Sequence, residues 1–160
     1  MTLQKPALDP AAVEPRSQTS YPEPYRSRVL PREKRGLGDA LGLTKIGINR
    51  TTLQPGKVSS MRHWHTHEDE FIFVLEGELT LHTDRGEQVL RAGQCAGFPA
   101  GSEDGHSFAN RGSVPAVYLE ISNRDPQDVA YYCDPTVDMV WNAPHARGRI
   151  TRRDGSEYED

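Results

Sequence analysis

Eight short runs rich in β-branched and aromatic residues follow one another along the middle of the chain, and a turn or loop signal closes each of them. They cover residues 46–53, 58–65, 71–76, 78–83, 87–90, 94–98, 106–110 and 114–122. Strands that recur about every 8–12 residues are typical of β-sandwiches and small barrels. No amphipathic helix of ordinary length interrupts the runs. The pattern therefore predicts an all-β domain.

The segments on either side of these runs have a different composition. Six of the 12 prolines fall within the first 31 residues, and proline removes backbone donors and fixes φ. This predicts an extended arm, disordered at its start, whose second half lies on another surface through Tyr21 and Tyr25. Residues 32–40 suggest one helical turn. The predicted organisation is an arm over residues 1–42, a barrel over 43–122 and an irregular tail over 123–160 that packs on the barrel.

Length and charge exclude several classes of protein. A chain of 160 residues is long enough for one domain with a sizeable core. A formal net charge of −4 argues against nucleic-acid binding, because such surfaces are basic. There is no apolar stretch of about 18 residues, and the N-terminus lacks the apolar core of a signal peptide. We therefore expect a cytoplasmic protein that neither spans a membrane nor binds nucleic acid.

Two smaller features receive no functional role. Cys95 and Cys133 are too far apart for a CxxC motif, and we expect both to be reduced thiols. We expect a basic stretch near the end of the chain to be a solvated surface; it contains Arg147, Arg149, Arg152 and Arg153.

Three of the six histidines lie in one run, and two of them are candidate metal ligands. In a strand over residues 58–65, the period of two places His63 and His65 on one face. Glu70 opens the next strand after a short turn and can return beside them. Imidazole nitrogens and a carboxylate on adjoining strands are suitable ligands for a divalent transition metal. The alternative is a cluster of surface histidines, and His67 in the turn is expected to face solvent or support the ligands.

The spacing of this run resembles the first sequence motif of the cupin superfamily. That motif is a glycine, five residues, His-x-His, three or four residues, Glu, six residues and a second glycine. Here Gly56 is followed by six residues, then His63 and His65, four residues, Glu70, six residues and Gly77. The part that bears the candidate ligands matches in full, and the first spacer is one residue longer.

A second stretch is similar to the second cupin motif, which reads glycine, five residues, Pro-x-Gly, two residues, His, three residues and Asn. Here Gly93 is followed by five residues, Pro99-Ala100-Gly101, four residues, His106, three residues and Asn110. The spacer between Gly101 and His106 is two residues longer than in the motif. Together the two motifs cover about half of the chain, from residue 43 to residue 122.

The resemblance implies an antiparallel jelly-roll barrel (a double-stranded β-helix) with a metal ion inside. By the resemblance, the ligands are His63, His65, Glu70 and His106. Three imidazoles and one carboxylate leave coordination positions open for water or substrate. Such a set suits Fe, Mn, Ni, Co or Zn, and the ligand identities do not choose among them.

The leading functional hypothesis is a metal-dependent enzyme that acts on a small polar organic molecule inside the barrel. The resemblance allows oxygenase, isomerase or lyase chemistry, with an oxygen-dependent reaction at iron slightly favoured. Glu70 is also a candidate catalytic base, and Glu120, Asp104 and Glu103 are candidates for a second acid or base. The alternative is a non-catalytic module that binds or senses a small ligand and holds a structural metal.

One strand bears on assembly. Residues 71–75 are apolar on both faces, whereas a sheet with one wet face alternates. Ile72 and Val74 share the face of Glu70, so the opposite face needs a cover of its own. The second sheet, the arm or a second copy of the chain can supply it. Because cupins commonly form dimers through such faces, we predict a homodimer.

Several aromatic and histidine side chains have simpler expected roles. His82 alternates with leucines and is expected to face solvent. We expect core packing for the remaining large side chains near the motifs, which are Trp64, Phe98 and Phe108. His145 receives no role.

Overall fold

A computed structural model describes residues 3–143 and 149–158 of the chain. Twelve strands dominate the described part, and its helices are single turns. The strands are β1 (Arg32–Gly36), β2 (Ile46–Leu53), β3 (His63–His65), β4 (Glu70–Glu76), β5 (Glu78–Thr83), β6 (Gly86–Arg91), β7 (Cys95–Phe98), β8 (Ser107–Ala109), β9 (Ala116–Asn123), β10 (Val129–Tyr132), β11 (Val140–Asn142) and β12 (Arg149–Thr151). The helices are a 3-10 turn at Pro10–Ala12, α1 (Arg26–Val29) and α2 (Leu37–Leu41).

The strands form two layers of antiparallel sheet. One layer is a five-stranded sheet in the order β1-β2-β9-β4-β7. The other layer contains a four-stranded sheet, β12-β11-β10-β3, and a three-stranded sheet, β6-β5-β8. A bridge between His63 and His106 joins these two smaller sheets, so β3 lies at the junction. The layers form the jelly roll that the sequence predicts.

All eight predicted runs contain a strand. The bounds of β2 and β5 agree with the predicted runs to the residue. The run over residues 58–65 is the weakest match, because only its last three residues form a strand. Its first residue, Val58, makes an isolated bridge to Ala109. The period-two assignment of His63 and His65 therefore rests on a short but regular segment.

The main core lies between the five-stranded and three-stranded sheets. Alternate residues of β4 point into it, with Ile72 5% exposed and Val74 fully buried. Leu79 and Leu81 on β5 face them from the other layer. Burying one such side chain contributes about 1.5–3 kcal/mol. Apolar side chains therefore fill one side of the space between the two layers, and polar groups occupy the other side.

The N-terminal segment contributes a strand that the sequence did not predict. Residues 32–40 were expected to form one helical turn, but residues 32–36 pair with β2 as an edge strand. Only α2 is helical, and it lies against β2 because a Cβ at Gly38 would lie 3.0 Å from the Ile48 backbone nitrogen. The alternation of side chains in β1 turns Arg32 and Lys34 to the inner face of the sheet.

The C-terminal segment is more regular than the sequence indicates. An irregular segment was expected after residue 123, but the structure forms β10, β11 and β12 there. Each of these strands has only three or four residues, too few for a period to be recognised in the sequence. They extend the sheet that begins with β3.

The arm and the C-terminal segment pack against each other in a second core. Tyr21 is 8% exposed, and its ring meets that of Tyr132 edge-on at a centroid distance of 6.0 Å. Their hydroxyl groups are 3.2 Å apart. The Tyr25 hydroxyl donates to the Thr136 carbonyl. The second half of the arm therefore lies on the C-terminal segment.

The arginines near the end of the chain are tied to the protein, although the sequence suggested a solvated stretch. Arg153 donates hydrogen bonds to the carbonyls of Tyr132, Asp134 and Val137. Arg152 lies over the Tyr158 ring at 4.4 Å. Arg147 and His145 lie outside the described residues.

The outer face of the five-stranded sheet carries apolar side chains. Phe71 is 39% exposed and Leu75 is 37% exposed. The opposite layer packs against the inner face of this sheet, and Tyr21 of the arm lies elsewhere.

In residues 3–143 and 149–158, no helix is both long and apolar enough to span a membrane.

Candidate metal centre

Strand β3 presents two of the candidate ligands from between two neighbouring strands. It pairs with β10 on one side, and His63 bridges His106 on the other. His63 and His65 face inward, with ring centroids 5.0 Å apart. Trp64 points to the other face and packs on Tyr131 at 5.2 Å. The alternation expected from the sequence is therefore present, and β3 is held from both edges.

The four side chains that the sequence singled out meet at one point. Glu70 Oε2 lies 2.9 Å from His106 Nε2, 3.4 Å from His65 Nε2 and 3.8 Å from His63 Nε2. The ligand atoms of His63, Glu70 and His106 all lie within 4.8 Å of one another. This is the spacing of side chains that could hold one metal ion.

The state of Glu70 fits a shared ion. Its Oε2 is buried and has no hydrogen-bond partner among the described residues, although ring nitrogens surround it. Buried acceptors nearly always have a partner, and a bound cation would supply one here. Burial alone would raise the pKa of Glu70, but the contact with His106 and the electrostatic effect of the neighbouring imidazoles outweigh it and lower the pKa. The carboxylate is therefore ionised.

The imidazoles are oriented with Nε2 towards this carboxylate. The His63 Nδ1 lies 2.8 Å from the Met61 carbonyl oxygen, which accepts a hydrogen bond from the Nδ1–H group. The proton then stays on Nδ1, and the lone pair of Nε2 is free to bind a metal. Burial, aided by the charge of His106, lowers the pKa of His63 to about 3. His63 is therefore neutral at physiological pH, as a metal ligand must be.

Asp128 is a functional residue that the sequence analysis missed. It is fully buried, and its Oδ2 lies 2.5 Å from His65 Nδ1. Its Oδ1 accepts the backbone N–H groups of His67 and Glu68. Burial opposes its ionisation, but these hydrogen bonds prevail and lower the pKa of Asp128. The carboxylate thus fixes the ring of His65 and the turn that leads to Glu70.

We expect Asp128→Asn to weaken metal binding by about 10- to 100-fold, because carboxylates behind a ligating histidine typically contribute that much. The affinity is measured by titrating Zn²⁺ or Mn²⁺ against a competing chelator. Asp125→Asn is the matched control, since Asp125 lies in the same loop. Its carboxylate accepts the Gln127 N–H within the local turn and is not hydrogen-bonded to His65. Equal affinities for Asp128→Asn and the unaltered protein would contradict a positioning role.

His106 reaches the cluster despite the longer spacer before it. Its backbone exchanges hydrogen bonds with His63, and Phe98 stacks on its ring at a centroid distance of 3.6 Å. Gly105 makes this approach possible, because a Cβ there would lie 2.0 Å from Cys133 Sγ. The longer spacer therefore does not keep His106 from the cluster, since its Nε2 lies 2.9 Å from Glu70 Oε2.

We expect Gly105→Ala to destabilise the protein by about 1–3 kcal/mol, the usual cost of overpacking. A melting curve measures the loss. Adding Cys133→Ala should recover part of it, since the closest obstructing atom is then gone. Gly97→Ala is the control, because the nearest atom to a Cβ there is the Glu70 carbonyl oxygen at 3.9 Å. If Gly105→Ala melts like Gly97→Ala, the contact does not constrain this loop.

A cavity of about 200 Å³ lies beside the four candidate ligands. Its polar wall includes Lys34 and Glu120, with Lys34 Nζ 2.6 Å from Glu120 Oε2. Burial lowers the pKa of Lys34, and the charge of Arg32 adds to this, while Glu120 opposes it. Burial and the Glu120 charge raise the pKa of Tyr118 well above its usual value. The cavity therefore holds a buried Lys34–Glu120 ion pair near the ligand cluster.

The other candidates for acid–base roles lie outside the cavity. Glu103 is exposed, and Asp104 accepts the backbone N–H of Asp84 at 2.7 Å. His67 and His82 are exposed, as expected. Of the three carboxylates considered for a second acid or base, only Glu120 lines the cavity.

Known proteins share this arrangement of strands. A family model described as a cupin domain matches residues 49–122. The crystal structure of a sugar phosphate isomerase from the cupin superfamily of Silicibacter pomeroyi is 41% identical, with a TM-score of 0.88. That match covers 96% of this chain and 97% of that chain. The chain belongs to the cupin superfamily. The predicted family and the predicted jelly-roll fold are both confirmed.

Two further relatives extend the comparison of this cupin. A protein from Acidithiobacillus ferrooxidans with a provisional sugar phosphate isomerase name is 30% identical, with a TM-score of 0.68 and 81% of each chain covered. The mannose-1-phosphate guanylyltransferase of Klebsiella pneumoniae is 32% identical over 114 residues. This cupin spans only 23% of the length of that enzyme.

Proposed function

We propose that this cupin is a metal-dependent isomerase of a phosphorylated sugar. The name of the Silicibacter relative supports the substrate class, since that protein matches almost the whole chain. The observation that carries the proposal is the placement of the Lys34–Glu120 pair in the same cavity as the candidate ligands. Isomerisation of an aldose to a ketose needs a polarised oxygen and a group that moves a proton, and the cavity offers residues for both.

In this proposal His63, His65, Glu70 and His106 hold the metal. A bound divalent ion would supply a Lewis acid that polarises the carbonyl oxygen of the substrate. Glu70 then serves as a ligand, although the sequence analysis also considered it as a base. With three neutral imidazoles and one carboxylate as ligands, a divalent ion would keep a net charge of about +1. This charge would stabilise a substrate oxygen that gains electron density.

Glu120 is the proposed base. It accepts a proton from the carbon beside the carbonyl group and returns it to the neighbouring carbon, while a second proton passes between the two oxygens. No electron is gained or lost overall, so the reaction needs no oxidant. Lys34, with its lowered pKa, can exchange a proton with Glu120 between the two steps. This chemistry replaces the oxygen-dependent reaction that the sequence slightly favoured.

Nuclear magnetic resonance in D₂O tests the proposal. The full chain, loaded with Mn²⁺, Fe²⁺, Co²⁺, Ni²⁺ or Zn²⁺ and freed of excess ion, is incubated with ribose 5-phosphate, glucose 6-phosphate or mannose 6-phosphate. We expect one aldose to convert to its ketose with deuterium entering the transferred position. Chelator-treated protein is the control. Failure to convert any sugar with any ion would overturn the proposal.

The second candidate is a non-catalytic module that binds a small ligand. The observation in its favour is that the cavity is small, at about 200 Å³. The same experiment separates the two hypotheses. Saturable binding of a sugar phosphate without any exchange or conversion would indicate a binding protein.

The homodimer remains a prediction of ours. A second copy of the chain would cover the outer face of β4, where Phe71 is exposed. We expect light scattering at micromolar concentration to give the mass of a dimer and Phe71→Asp to give that of a monomer. Val89→Asp is the control, because Val89 is 45% exposed on a different sheet. A monomeric mass for the unaltered protein would reject the dimer.

A further inference from the structure

One arginine in the cavity has no carboxylate partner. Arg32 on β1 is 8% exposed and lines the same cavity as His63 and Glu70. Its guanidinium donates to the Ser59 carbonyl, and it takes part in none of the ion pairs among the described residues. Charged side chains are seldom buried without a partner, because removing them from water is costly. The remaining N–H groups of Arg32 are available to a ligand.

Other arginines of the chain show the contrast. Arg50, Arg62 and Arg111 pair with Glu76, Asp84 and Glu87 at the surface. In each pair the carboxylate neutralises the charge of the arginine. Arg32 differs from all three because it points into a cavity and meets only a neutral carbonyl group.

The Glu120 carboxylate does not neutralise Arg32. Lys34 lies beside Arg32 on the same face of β1, and Glu120 pairs with Lys34 at 2.6 Å. A carboxylate that pairs with Lys34 is unavailable to Arg32. The inner face of β1 therefore carries one uncompensated positive charge.

Neutral donors surround this charge. Ser59 and Ser60 line the cavity with Arg32, and their hydroxyl groups are 3.3 Å apart. The Ser59 hydroxyl accepts the Phe108 N–H, so its own hydrogen remains a donor. Tyr21 and Tyr132 also line the cavity, and their hydroxyl groups are hydrogen-bonded to each other at 3.2 Å. A guanidinium with several hydroxyl donors matches an anion that has three or more acceptor oxygens.

Arg32 also lies close to the candidate metal ligands. Arg32 and Glu70 line the same cavity of about 200 Å³, and Tyr21 and Tyr118 line it with them. One small molecule in this cavity can therefore contact both charges.

We propose that Arg32, with the hydroxyl groups of Ser59 and Ser60, binds the phosphate group of the substrate. The proposal rests on the proposed function and adds the site that selects phosphorylated sugars over free ones. It also gives the N-terminal segment a role, since β1 supplies the residue that recognises the anion.

Calorimetry tests this site without relying on turnover. Inorganic phosphate and ribose 5-phosphate are titrated into the full chain in the presence of a chelator, so that a bound ion does not contribute. We expect Arg32→Met to weaken the binding of both by roughly 10- to 100-fold, the usual effect of losing a charged hydrogen-bond donor. Arg50→Met, on the outer face of the sheet, should bind as the unaltered protein does.

Arg32→Lys provides a second variant in case Arg32→Met does not fold. It keeps the charge but loses the planar pair of donors, so we expect an intermediate affinity. Phosphate binding that is equal in the unaltered protein and in both Arg32 variants would overturn the proposal. Tighter binding of ribonate than of phosphate would also overturn it, because the site would then fit a carboxylate.

The outcomes separate this proposal from the proposed function. Phosphate binding that depends on Arg32, together with no isomerisation, would reject the isomerase and retain the anion site. Isomerisation of a sugar phosphate with phosphate binding that is independent of Arg32 would do the reverse.

Discussion

Glu70→Gln protein purified without added metal should contain little or no transition metal, and its affinity for Mn²⁺ or Zn²⁺ should fall by more than about 100-fold. The expected loss is larger than that for Asp128→Asn, because a direct ligand is removed and supporting groups alone contribute about 10- to 100-fold. Glutamine keeps the volume of glutamate, so the cavity retains its shape. Elemental analysis and a chelator competition measure the two quantities.

His63→Ala is the companion variant and should lose metal to a similar degree. Glu76→Gln is the matched control, since Glu76 ends the same strand and pairs with Arg50 at the surface at 3.5 Å. Metal content that is sub-stoichiometric in the unaltered protein and unchanged in both variants would refute the metal site. The same measurement on the unaltered protein also identifies the ion.

Glu120→Gln should reduce the turnover of the sugar phosphate by roughly 10²- to 10⁴-fold, the usual contribution of a general base. The metal content should stay unchanged, because Glu120 pairs with Lys34 and is not one of the candidate ligands. Steady-state kinetics give kcat, and the rate of deuterium incorporation reports the proton transfer itself. This combination of full metal content and lost exchange distinguishes a base from a ligand.

Two further variants sharpen this test. Glu120→Asp keeps the carboxylate but withdraws it by one methylene, so a partial activity is expected. Glu76→Gln again serves as the surface control. An active Glu120→Gln protein would exclude Glu120 as the base and leave Glu70, which the sequence analysis also considered as a base, to be tested in that role.

Three of the four candidate ligands were predictable because each of them depends on local geometry. His63 and His65 are two residues apart, so any extended conformation puts them on one face. Glu70 follows His65 after a turn of four residues, which is too short to place Glu70 far from the two histidines. His106 needed the family resemblance, because nothing in its own spacing shows that its strand lies beside β3.

The supporting groups could not be predicted in the same way. Asp128 reaches His65 across 63 residues of sequence, and it lies in a segment without a recognisable period. Arg32 and Lys34 alternate in the sequence, which is the signal of a strand face. The sequence analysis assigned residues 32–40 to a helical turn instead, although Gly36 and Gly38 argue against a helix, and only pairing with β2 reveals the strand.

The pairing of β3 with β10 has a consequence for how this protein is made. A growing chain leaves the ribosome from its N-terminus, and β3 emerges well before its neighbour. Residues 129–132 must follow before that edge can pair, and Asp128 arrives only just ahead of them. We therefore expect nascent chains that end before residue 128 to bind a metal ion more weakly than longer chains do. Tight metal binding would then follow the synthesis of residues 128–132.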